Sequence, residues 1–322
     1  MCTPVRRVPW THSAFGPQQH MVYGSRSDCL SHRAGSRSAP PPVRPLIPHP
    51  SIVELERSAS CVRSTPTSWL GCSLVVNGCS DETTGPTLQA TTVTHFLPSH
   101  SVLRSRLRDV VEEQNGGLGL DMWATILDRD GRVVDVVFSG SRRGDQWPGS
   151  RVISAQKANT ANAFSLSTLA LSTANLFAPV QPGGSLFGLQ ESNPVDPDVA
   201  YGGKAADYGT LKDYTSGKRI GGINVFGGGL ALYSPEGRLL GGLGVSGDTS
   251  CTDHIIAWKL RHALNLDKVP GGVGESNTDN IIFAVDDLDG FEHPECFDGE
   301  GRGSHVEIAN DLPEEYPVGP TS

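Results

Sequence analysis

Two cysteine–histidine pairs carry the first hint of chemistry, Cys251-x-x-His254 and His293-x-x-Cys296. Together they hold two sulfurs and two imidazole nitrogens, the donor set of tetrahedral zinc. Their three-residue spacing sets Cys251 and His254 on one face of a helix. The halves lie far apart in the chain, so competing readings stand beside zinc: a Cys251–Cys296 disulfide if the protein is exported, or two free thiols in a reducing compartment. His254, Trp258 and His262 follow at steps of four, giving an aromatic and imidazole wall for a flat ligand. Asp286, Asp287, Asp289 and Glu292 gather carboxylates loosely, and a solvated acidic turn explains them as well as a cation loop does.

A second cluster is built on glycine. The run Arg238 to Asp248 leads an apolar strand into Gly242-x-Gly244-x-x-Gly247, with Asp267 twenty residues beyond the last glycine. A strand-to-helix turn of this kind aims N–H groups at an anion, as in dinucleotide-binding folds. The segments upstream read as hairpins, and too little chain remains for a doubly wound sheet. The glycines are therefore expected to let a strand end pack beneath the helix that starts near Ser250.

These candidates sit in an acidic part of the chain. Residues 1–95 carry eight Arg, no Lys and five acids, a net +3, so the rest accounts for −12 of a total of −9. That surface argues against nucleic acid as a partner. No apolar run reaches membrane-spanning length. Five of the seven cysteines (Cys2, Cys29, Cys61, Cys72 and Cys79) lie in the arginine-rich part, without a disulfide-framework spacing. Prolines around Pro40-Pro41-Pro42, abundant serine and missing periodicity make residues 1–95 a disordered or targeting-like extension.

The elements that must position the candidates begin near Ser99. Apolar spacing predicts a helix over Ser101–Gln114, a hairpin of Met122–Leu127 and Val133–Phe138 around Asp128-Arg129-Asp130-Gly131, and a long helix over Ser154–Phe177. An irregular connection follows from 179 to 219. A second hairpin is expected from Gly222–Phe226, Leu230–Tyr233 and Arg238–Val245, then a helix from about Ser250 and a last strand at Ile281–Val285. The remainder, 291–322, is expected as an acidic surface tail. This order implies an α+β fold, an antiparallel-dominated sheet with helices on its faces.

The segment Gly221-Gly222-Ile223-Asn224-Val225-Phe226-Gly227-Gly228-Gly229-Leu230-Ala231-Leu232-Tyr233, with Leu240-Gly241-Gly242-Leu243-Gly244-Val245-Ser246-Gly247-Asp248-Thr249 and Asp253, resembles the GlcG/HbpS-like haem-binding family. The hairpin at Asp128–Gly131 and the segment Ser154-Ala155-Gln156-Lys157-Ala158-Asn159-Thr160-Ala161 are similar to it as well, so the likeness spans roughly 96–290. The resemblance implies a profilin-like sandwich, homo-oligomers and a haem or related tetrapyrrole ligand, in sequestration, transport or sensing. It also implies alternatives, an enzyme that degrades haem or acts on a small hydroxy acid or corrinoid, or a cofactor-free structural oligomer. Under it, Gly244, Ser246 and Gly247 shape the turn and supply N–H groups. His254 becomes the first candidate for the haem iron, and Lys157 the partner of a propionate. Longer members of this kind favour an exported, periplasmic or extracellular location.

Overall fold

Four apolar runs bounded by turns pair into one antiparallel sheet: β1 (Trp123–Asp128), β2 (Val133–Phe138), β3 (Gly229–Tyr233) and β4 (Leu239–Ser246), in the order β2-β1-β4-β3. The computed structural model describes residues 96–284, 288 and 290–319. The extension expected over 1–95 lies outside the described residues, as do Asp286, Asp287 and Asp289 of the acidic cluster.

Strand alternation sorts the core into two layers. Ala124, Ile126, Leu230, Leu232, Leu243 and Val245 point to one face. There they meet α1 (His100–Val111), through Leu103, Leu107 and Val110, and α3 (Ser250–Ala263), through Ile255, Ile256 and Leu260. Trp123 and Leu127 point to the other face, toward Val152, Ala155 and Ala158 of α2 (Ser150–Ala163). The result is the expected α+β arrangement, an open four-stranded antiparallel sheet with helices on its faces. Among the described residues no helix is long and apolar enough to cross a membrane.

The departures from expectation have local causes. Helix α2 starts at Ser150 and ends at Ala163 rather than at Phe177. Beyond it, Ser165 Oγ bonds the backbone of Leu171 and Ser172 Oγ bonds Asn175, so side chains take over backbone partners and short 3-10 turns replace the helix. Gly222–Phe226 makes no strand: Asn224 N–H donates to Thr160 Oγ1 and Phe226 N–H to Asn224 Oδ1. Over the described part of the strand expected at Ile281–Val285, residues 281–284, there is only a bridge between Phe283 and His293; Val285 lies outside the described residues.

The region expected as a surface tail is seated on the domain. Ser304 Oγ accepts the Glu307 N–H at 3.3 Å and caps α4 (His305–Glu315), whose Ala309 and Leu312 are buried in the α1–α3 layer. Trp258 Nε1 of α3 donates to the Tyr316 carbonyl at 3.0 Å, fixing the end of α4.

Candidate functional site

The glycines of β4 set the height of α2 above the sheet. A Cβ on Gly244 would overlap the Ser154 carbonyl and stand 2.6 Å from the Ala158 nitrogen, and one on Gly242 would overlap the Ala158 carbonyl. They therefore seat α2, not the helix that begins at Ser250, which corrects the expected packing. Their N–H groups are also not offered to a ligand. Gly244 pairs with Thr125 and Gly229 inside the sheet, and Gly247 N–H donates to Asp253 Oδ1 at 3.0 Å.

At this end of β4 the two helical layers meet through one ion pair. Lys157 of α2 donates to Asp253 Oδ2 of α3 at 2.6 Å and to the Val245 carbonyl at 3.2 Å, and both side chains are at least 97% buried. Asp253 Oδ1 accepts the N–H groups of Gly247 and Asp248, so three donor groups make four hydrogen bonds to this carboxylate and its neighbouring carbonyl. Gly228 makes room for the pair: its φ is +116°, and a Cβ there would lie 2.9 Å from Asp253 Cβ and 3.1 Å from Lys157 Nζ. Burial outweighs the pull of Lys157 and pushes Asp253 up to about 6.

Above this pair lies an open cleft of about 280 Å³, lined by Trp147, Ser150, Ile153, Phe226, Ser246, Asp248 and Ser250 with Lys157 and Asp253 at its floor. Trp147 is 56% and Phe226 45% exposed, so two aromatic side chains stand partly open at this cleft. Trp123 Nε1 holds the Trp147 carbonyl at 3.0 Å and so fixes that wall. Lys157 and Ser246, both foreseen in the sequence, thus come together at one cleft. Trp147 was missed, because a lone aromatic in a polar loop carries no periodic signal. A larger hollow of about 700 Å³, lined by Phe164, Leu171, Leu176 and Leu186 among others, offers neither a charged group nor an iron donor among its described lining residues.

His254, the residue expected as the candidate for the haem iron, does not join them. It is fully buried in α3, where Nε2 accepts the Ile281 N–H at 3.1 Å and stands 3.2 Å from Asn280 Oδ1. Burial depresses it to about 3, so it stays neutral as a core residue. No imidazole, thiolate, thioether or phenol lines the cleft. The lining therefore offers two aromatic faces and one ion-paired cation, and does not fit ligation of a haem iron. Trp258 packs in the core beside His254, and His262 bonds Asp267 at 2.7 Å, so the wall expected along this helix is divided among separate structural roles.

Cys251 and Cys296 are joined by a disulfide, with 6.1 Å between their Cα atoms. His293 lies beside them, while His254 of the expected four-residue zinc set faces elsewhere.

Residues 103–260 match the family described as haem degrading protein HbpS-like. Among solved structures, the chain is similar to that of a PduOC:heme complex, at 25% identity over 53% of this chain and 96% of that one, with a TM-score of 0.36. It is also similar to the Klebsiella pneumoniae protein ORFY, at 21% identity over 52% and 90% of the two chains (TM-score 0.35), and to HbpS, at 16% over 50% and 83% (TM-score 0.31). A search of the curated proteins gives no match.

Proposed function

Residues 103–260 are an HbpS-like domain, and from that premise we propose that the protein binds haem or a related tetrapyrrole at the Lys157–Asp253 cleft, in sequestration, transport or sensing. The observation that carries this reading is the pairing of two exposed aromatic faces, Trp147 and Phe226, with a buried cation beneath them. Aromatic side chains take up the flat face of a macrocycle. Lys157 uses two of its three N–H bonds inside the protein, leaving one for a ligand carboxylate. Because the cleft presents no imidazole, binding rests on the macrocycle and its acid groups. The disulfide belongs with an oxidising compartment, which favours an exported protein. Assembly into homo-oligomers completes the reading, and the mass of the protein in solution tests it.

The experiment is a titration of the full chain with hemin and, in parallel, with iron-free protoporphyrin. Both are expected to give a saturable Soret shift with dissociation constants within about threefold of each other. Trp147→Ala and Phe226→Ala should each weaken binding about tenfold, roughly 1.4 kcal/mol, without lowering the melting temperature. No saturable shift with either ligand overturns the proposal. A shift confined to hemin, or altered by His254→Gln, overturns binding without an imidazole.

The family description also speaks of haem degradation. Turnover is a second reading supported by that description alone. Loss of the Soret band with release of iron, when the loaded protein is given a reductant and oxygen, would establish it.

A further inference from the structure

The disulfide sits in surroundings that a purely structural crosslink does not need. Cys251 lies in the first turn of α3, and Cys296 Sγ rests against the helix start, 3.2 Å from the Cys251 nitrogen and 3.5 Å from Ser250 Oγ. Such a position stabilises a thiolate. Cys296 is half-buried, whereas Cys251 is fully enclosed, so an incoming thiol meets Cys296 first. The Cys296 backbone is fixed in turn: its N–H donates to His305 Nε2 at 3.1 Å, and His305 Nδ1 is held by Asp298 at 2.8 Å.

The third component is His293, 99% buried, with a ring nitrogen within 4.8 Å of both sulfurs. Its Nδ1 bonds the Pro294 carbonyl at 2.7 Å, which places the proton there and leaves the Nε2 lone pair unprotonated. Among the described residues, the Gly227 N–H approaches that lone pair, at 3.5 Å. A carbonyl holding the far nitrogen of an imidazole is the arrangement that orients metal-bound histidines. The edges of a zinc tetrahedron with two sulfurs and one nitrogen are about 3.6–3.8 Å, so the sulfurs must part and the His293 ring must turn or shift to bring Nε2 and both sulfurs onto one ion. Two thiolates also neutralise a dication, and no net charge is left buried.

We propose that reduction of the Cys251–Cys296 disulfide opens a metal site of the zinc class, made by Cys251, Cys296 and His293 with a fourth position left to solvent. The reductant is a dithiol. Its thiolate attacks the Cys296 sulfur, the S–S bond breaks with its electron pair leaving on Cys251, and the second thiol of the reductant closes its own disulfide to free Cys296. One cystine and one dithiol become two cysteines and one oxidised dithiol. Metal entry then displaces the two thiol protons to solvent. Oxidation reverses the sequence and expels the ion, so metal occupancy reports the thiol state.

The test uses the full chain with Cys2, Cys29, Cys61, Cys72 and Cys79 changed to Ser, and Co²⁺ alone as the probe. After reduction and removal of the reductant, one equivalent of Co²⁺ is expected to bind with tetrahedral ligand-field bands and a thiolate-to-cobalt charge-transfer band, both lost on adding Zn²⁺. The oxidised protein should show neither. His293→Gln should weaken binding at least tenfold, and the Cys251→Ser, Cys296→Ser double variant should lose the charge-transfer band while keeping its far-ultraviolet circular dichroism. A reduced protein that unfolds, that stays folded without taking up Co²⁺, or that binds it equally well as His293→Gln overturns the proposal.

Discussion

The buried imidazoles make acid stability a sharp test of the core. Burial depresses His254 to about 3 and His293 to about 4, so both are neutral in the folded protein between pH 7 and 5. Unfolded, each protonates near pH 6.5, so the stability they contribute is present above that value and is lost as pH falls through it. Each imidazole then costs about 2 kcal/mol between pH 7 and 5. Asp253 works in the opposite direction. With a folded value of about 6, it favours folding at low pH and loses that contribution as pH rises through 6, which adds back about 1 kcal/mol over the same window. The net expected loss is about 2–3 kcal/mol. In His254→Gln, where the amide oxygen can still accept the Ile281 N–H, about 2 kcal/mol of that loss disappears. Urea denaturation followed by tryptophan fluorescence at pH 7 and pH 5 measures both quantities. An acid loss in His254→Gln equal to that of the parent protein would refute the account of a neutral, core-bound His254.

Three further outcomes follow from the packing. Gly244→Ala drives a Cβ into the Ser154 carbonyl and should destabilise by about 1–3 kcal/mol in thermal melts, with unchanged stability counting against the helix seat. Cys251 and Cys296 are 45 residues apart, and replacing both with Ala should lower the unfolding free energy by up to roughly 4 kcal/mol, read from urea curves. Arg261 meets Asp279 through two bonds of 2.6 and 2.8 Å with both groups fully buried, so Arg261→Met should cost about 3–5 kcal/mol, and a loss below 1 kcal/mol would show that the stranded carboxylate is relieved elsewhere.

The sheet was readable because its strands alternate and its turns carry their own chemistry. Val133–Phe138 was expected over the residues it occupies, and the helix expected near Ser250 runs Ser250–Ala263. Alternation fails where side chains replace the backbone as partners, as Thr160 and Asn224 do along Gly222–Phe226. Helix α4 was hidden by its acids and Pro313, although Ser304-x-x-Glu307 is a capping signal and Ile308 and Leu312 stand four apart. The site was legible only in part. Lys157, Ser246 and the cysteine pair were found as single residues, but the Lys157–Asp253 contact joins positions 96 residues apart and needs the sheet between them. His254 misled because helical spacing places a residue on a face and leaves open whether that face meets solvent or the core.

The division of labour around the cleft separates two kinds of selection. Its floor is made from backbone, glycine and an internal ion pair, all committed to folding, whereas Trp147 and Phe226 stand on its rim with about half their surface free. Under the proposed function, substitutions at the rim retune the choice of guest while the chain still folds, whereas substitutions at the floor disturb the fold itself. A combinatorial library confined to positions 147 and 226, screened for tetrapyrrole binding and expression together, would separate the two.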